Sequence, residues 1–351
     1  MKQHKLMAVM TTIQAPTACA KQLSKVMNSI GQETVVVGDR KGPFEYPLPM
    51  TQFFSLTAQT NLPLELAKHL PVGHYVRKNL GYLVAISRGA ETIYETDDDN
   101  MPNDSWVPRD INAEAQVVEG RDWLNVFKLF TEQHIWPRGF PLDRITDPST
   151  FAHDPMMPTE TMRAPIQQGL ADLAPDVDAI WRLVDGNELY FDNRPSVYLS
   201  PGTWCPFNSQ STWWWSEAYP LMYLPAYCTF RMTDIWRSFV AQRCLWEMGY
   251  GMVFHSPEVI QERNEHSLIK DFELEVPGYL KNTSLVGELG RLSLRPGVEN
   301  ASDNLIRCYE RLIEVGIFPQ EEMTLIRAWC QDVESELERP SHLGERERRA
   351  A

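Results

Sequence analysis

Apolar and polar positions divide the first hundred residues into alternating units. Leu6 to Ile13 (LMAVMTTI) is an apolar run of strand length, and Pro16 suits the first turn of a helix running to about Ile30, where Gly31 fits the stop. Thr34 to Asp39 (TVVVGD) is a second β-branched run, and FFSL, after a proline-rich loop, is a candidate short strand. Arg77 to Ala90 carries Leu80, Leu83, Val84 and Ile86 at helical spacing and closes at Gly89. ETIYETDDDN then reads as a strand running out into an acidic loop. Strands alternating with helices predict a parallel sheet with crossover helices, and such sheets bind ligands at the carboxyl ends of their strands. Asp97, Asp98 and Asp99 sit at such an end.

Beyond this unit the pattern weakens. Met101 to Pro165 reads as irregular and proline-rich, order resumes at Asp176 to Gly186, and Trp204 to Leu224 is dense in aromatics. Thr233 to Gly249 predicts a helix with Thr233 as its N-cap and Trp236, Phe239, Val240, Cys244 and Leu245 on one face. Two further amphipathic helices are expected at about Ala301 to Val315 and Gln320 to Leu337, before a charged tail. No internal repeats are evident.

At 351 residues the chain can bury a substantial core. Its 33 basic against 47 acidic side chains, a formal charge of -14, disfavour nucleic-acid binding without a local basic groove. There is no GxxxxGK[ST] and no GxGxxG, so phosphate-loop nucleotidases and dinucleotide-binding dehydrogenases lack their fingerprint. The start of the chain reads as a first strand rather than a signal peptide, and no apolar stretch is long enough to span a membrane. Six scattered cysteines without a CxxC pair predict reduced thiols in a cytoplasmic protein.

Three adjacent carboxylates repel one another, so either a cation or full solvation must offset them. A hard divalent ion, Mn2+ or Mg2+, takes oxygen ligands and bridges nucleotide phosphates. In an extended segment Asp97 and Asp99 would share one side and could share one ion, whereas a solvated acidic loop is the plain alternative. Arg77 and Lys78, at the start of their helix, could meet phosphate charge or be exposed cations. Asp234 could cap its helix or act as general base towards an acceptor hydroxyl. His266 could complete a metal site or lie on the surface. The run Trp213-Trp214-Trp215 suits the core, although an exposed ring would stack on a sugar.

VVVGDRK, RKNLGYLVAISRGAETIYETDDDN, WPRGFPL, PFNSQSTWWW, RMTDIWRSFVAQRCLW and the ERNEH…DFELEVPGYL segment, in this order, resemble the STELLO-type glycosyltransferase family over nearly the whole chain. The blocks around DDDN, PFNSQ and RMTDIW are also distantly similar to the reversibly glycosylated polypeptides, which include UDP-arabinopyranose mutases. Both resemblances imply an α/β GT-A-like fold, a mixed sheet flanked by helices with C-terminal helices. They also imply a nucleotide-sugar donor, UDP-linked, a hydroxyl acceptor, and a divalent metal cofactor (Mn2+ or Mg2+). Residues 1–285 would form the GT-A-like domain, 286–338 a helical extension packed on it, and 339–351 a flexible tail.

By the same resemblance Thr11, Thr12, Asp39, Arg77, Lys78 and Asp98 would bind the donor, and Asp97, Asp99 and His266 the metal, with His255 the competitor for His266. Asp234 would be the catalytic base, and Trp214, Asn208 and Arg231 would face the acceptor sugar. Plant members carry a membrane anchor that this sequence lacks, so a cytoplasmic enzyme of surface glycan synthesis is expected. The alternatives are a UDP-sugar mutase, a catalytically silent partner of a glycan-synthesising complex, and a transferase acting on modified DNA bases.

Overall fold

The computed structural model describes residues 4–151, 158–262 and 267–338. Its first part follows the alternating pattern: β1 (Leu6–Thr11), α1 (Ala18–Ser29), β2 (Glu33–Val37), β3 (Thr51–Phe54), α2 (Leu56–Thr60), α3 (Lys78–Ser87) and β4 (Thr92–Thr96). β3, β2, β1 and β4 lie side by side in parallel. Met7 and Val9 of β1 enter the larger core on the α3 side, while Leu6, Ala8 and Met10 pack with Leu23 and Met27 of α1 on the other. A strand covered on both faces has no polar side to show, which is why it reads as an unbroken apolar run.

Local signals explain the helix ends. Thr17 caps α1, accepting from the Ala20 N–H at 3.0 Å, so the helix starts just beyond Pro16, and Gly31 ends it with φ +67. α3 begins only at Lys78, because Tyr75–Arg77 form a tighter 3-10 turn, and Gly89 (φ +74) closes it. α3 lies so close to the sheet that a Cβ on Gly81 would stand 2.7 Å from Val9 Cγ1 and 2.9 Å from Val37 Cγ2.

The second part adds β5 (Asn100–Pro102), β6 (Asn112–Val118), β7 (Thr159–Arg163), β8 (Ile166–Asp172), α4 (Ala179–Val184), β9 (Val197–Leu199), β10 (Ser211–Trp215), α5 (Thr233–Glu247) and β11 (Met252–Gln261). Three helices follow: α6 (Leu268–Gly290), α7 (Ala301–Glu314) and α8 (Glu322–Glu338). The sheet runs β3-β2-β1-β4-β10-β8-β11-β9-β6-β7, with β5 paired to β11. β10 joins β4 and β8 antiparallel, so the sheet is mixed, as a GT-A-like α/β fold requires.

Several expectations are corrected. The stretch read as irregular holds β6, β7 and the acidic-turn partner β5. The N-cap position of α5 is Met232, without a side-chain cap, and the Thr233 hydroxyl instead donates to Thr229 O. The 3-10 turn Phe230–Met232 already winds the chain into that helix. α6 runs unbroken through Pro277, and the tail beyond 338 lies outside the described residues. All six cysteines are free, and among the described residues no helix is long and apolar enough to cross a membrane.

Candidate active site

The carboxyl ends of β1, β2 and β4 open into a cleft of about 590 Å³ that includes Thr11, Thr12, Asp39, Asp97, Asp98 and Asp99 in its walls. The acidic segment is a turn, with Asn100 N–H reaching Asp97 O at 3.4 Å, so the alternation of an extended strand does not apply. Each carboxylate has its own partners. Asp97 Oδ1 accepts from Lys78 Nζ at 2.7 Å and from the Tyr75 hydroxyl at 3.0 Å. Asp98 Oδ2 accepts from the Thr12 hydroxyl, and Asp99 accepts from Asn100 Nδ2 and Gln261 Nε2, both at 3.0 Å.

Burial raises all three carboxyls above the usual range. For Asp97 it is opposed by Lys78, and for Asp98 by the Thr12 hydroxyl. Asp99 is pushed up to about 7, by burial first and then by the neighbouring charges of Asp97 and Asp98. Lys78 thus compensates Asp97, whereas the hydrogen bonds to Asp98 and Asp99 come from neutral groups. Two desolvated carboxylates with neutral partners fit a hard divalent cation by their chemistry. Among the described residues no closed group of three His, Cys, Asp or Glu side chains surrounds such a position.

The rest of the wall is built by long-range contacts. Asp39 accepts the Gly73 and His74 N–H groups, each at 2.8 Å, which fixes that loop against the cleft. Tyr75 meets Phe230 edge to face at 5.4 Å, and both line the cleft. Arg231, also in the wall, pairs with buried Glu275 at 2.8 Å.

The remaining expected residues lie elsewhere. Arg77 is buried and donates to Gln59 Oε1 and to the carbonyls of Leu70 and Pro71, so it braces the loop before α3 instead of facing the donor. Lys78 is buried between Asp97 and Glu95 and serves the site through Asp97. Asp234 is locked to Arg138, Oδ1 at 3.0 Å and Oδ2 at 2.9 Å, and is not in the cleft wall, so it is not placed as a free base. Trp214 is wholly buried with its Nε1 on Glu95, leaving no face for a sugar. Asn208 is buried against Gln168. His255 is held between Ser196 and Gln167, with burial driving its pKa well below the ordinary value. His266 lies outside the described residues.

Residues 231–348 match the family model for STELLO glycosyltransferases. The chain is similar to the STELLO glycosyltransferases. It is 27% identical to "Probable glycosyltransferase STELLO1" and 26% identical to "Probable glycosyltransferase STELLO2", both from Arabidopsis thaliana, in each case over 93% of this chain. The chain spans 44% of the length of each of those proteins.

Geometry adds cleft residues that pattern did not single out. Gln261, at the end of β11, reaches Asp99 across the sheet, and Tyr75 joins Asp97 to Ser209. Asp176, Arg182 and Phe230 complete the wall of the cleft. Only Tyr75 carried a sequence signal, its place in HYVRKN beside the basic pair.

Proposed function

We propose that this chain is a glycosyltransferase domain that moves a sugar from a nucleotide-diphosphate donor, UDP-linked, to a hydroxyl acceptor with the help of a divalent cation. The observation that carries this reading is the acidic turn at the ends of parallel strands, where Asp98 and Asp99 are desolvated with neutral partners. The likeness to proteins named as probable glycosyltransferases supports it.

Asp98 and Asp99 would hold the ion. The bound ion would supply charge neutralisation for a departing diphosphate. Lys78 holds Asp97 in place, Thr12 orients Asp98, and Gln261 orients Asp99. Thr11 and the Asp39-braced loop shape the nucleotide end of the cleft. Arg231, held by Glu275 of α6, and Phe230, packed on Tyr75, line the cleft.

The test is product analysis on a panel of UDP-sugars with Mn2+, alongside direct Mn2+ binding. Free UDP should appear in the wild type and fall by roughly 100-fold in Asp99→Ala, together with weaker Mn2+ binding. An isomerised UDP-sugar without free UDP, or equal turnover in the variant, would overturn the reading.

A further inference from the structure

A second cavity, of about 490 Å³, opens beside the cleft. Arg182 and Gln261 line both, so the two are adjoining lobes of one groove. The second lobe has an apolar wall from Leu173, Val177 and Leu268.

Arg182 differs from the other guanidinium groups near the cleft. Arg138 is bound by two carboxylates and Arg231 by Glu275. Among the described residues Arg182 makes one hydrogen bond, Nη2 to Pro175 O at 3.0 Å, while its Nε and Nη1 are shielded from solvent without a hydrogen-bond partner there. A desolvated cation with two idle donors costs free energy unless something accepts from them. Nε and Nη1 lie on different edges of the guanidinium plane, so each can donate a separate charge-assisted hydrogen bond to a phosphate or carboxylate oxygen.

We propose that Arg182 is an anion-binding residue at the junction of the two lobes, taking a phosphate or carboxylate oxygen of a ligand that spans them. The inference rests on the glycosyltransferase reading only for the identity of that anion: the donor diphosphate, or an acidic group on the acceptor side. The aspartate turn repels an anion unless a cation intervenes, whereas Arg182 attracts one directly.

The test is calorimetric titration of inorganic phosphate, UDP and uridine, in Mg2+ buffer, into the wild type, Arg182→Ala and Arg182→Lys. Thermal melts accompany each variant, and Arg182→Gln replaces any that fails to fold. Arg182→Ala should weaken UDP and phosphate by about tenfold or more and leave uridine unchanged, with Arg182→Lys between. Loss for UDP but not uridine assigns the donor diphosphate. Unchanged UDP, with loss of phosphate binding at saturating UDP, assigns an acceptor-side anion. Arg182-dependent phosphate binding in a protein that binds neither UDP nor uridine keeps this proposal and removes the UDP-donor reading. Equal anion binding in wild type and Arg182→Ala, or none in the wild type, overturns it.

Discussion

Arg138→Met tests whether the buried charges behind the cleft hold its wall together. The Arg138 side chain is only 5% exposed, and its Nε, Nη1 and Nη2 make four hydrogen bonds to Asp176 and Asp234 at 2.7 to 3.0 Å. Methionine fills much of the volume but removes a cation from two buried carboxylates. Breaking a buried pair costs about 3–5 kcal/mol. With a urea slope of about 3 kcal/mol/M, the unfolding midpoint should fall by roughly 1 M or more.

Asp176→Asn with Asp234→Asn should recover most of the deficit. Tryptophan fluorescence during urea unfolding reads both. A loss under 1 kcal/mol at pH 7 would refute the reasoning.

The remaining predictions concern the fold and its titratable groups. Asp178 caps α4 and accepts from Trp136 Nε1, yet burial pushes its carboxyl up to about 6. Its protonation should favour the fold below about pH 4 and cost about 3 kcal/mol of stability as pH rises to 6, a slope that Asp178→Asn should remove in urea titrations. Gly81→Ala gains about 1 kcal/mol of helix propensity, but its Cβ collides with Val9 and Val37 at a cost of about 1–3 kcal/mol, so melting should show no gain and a net loss of up to about 2 kcal/mol. Burial pushes Cys19, Cys205 and Cys330 up to about 12 and raises Cys228 and Cys244 as well. Thiol titration at pH 8 should therefore be slow in the native protein and count six groups after denaturation.

The sequence made the first sheet legible because burial of β1, β2 and β4 on both sides left apolar runs, with Gly31 and Gly89 marking the helix ends. β11 escaped notice because its buried polar residues have partners that no local pattern reveals. His255 is satisfied by Ser196 and Gln167, and Glu258 by Arg109, Ser211 and Trp213. Pro257 added a false break, and the register there is irregular. α6 was hidden by Pro277 and Gly278, although the glycine serves a close approach, since a Cβ there would stand 2.3 Å from Met232 Sδ.

At the site, the aspartate cluster was visible because so much like charge rarely follows a buried strand without use. The direction of Arg77 was not, because basicity alone does not say whether a guanidinium faces a cleft or the carbonyls behind it. Asp234 resembled a base at a helix start, but its partner Arg138 lies 96 positions away in the chain. The cleft residues Arg182, Phe230 and Gln261 become neighbours only when the sheet and α4 assemble.

Calorimetric titration of UDP with and without Mn2+, on the wild type and Asp99→Ala, tests the central claim most directly. The account predicts binding that requires both the ion and the Asp99 carboxylate. UDP binding that is equal in all four conditions, or absent from all of them, would contradict it.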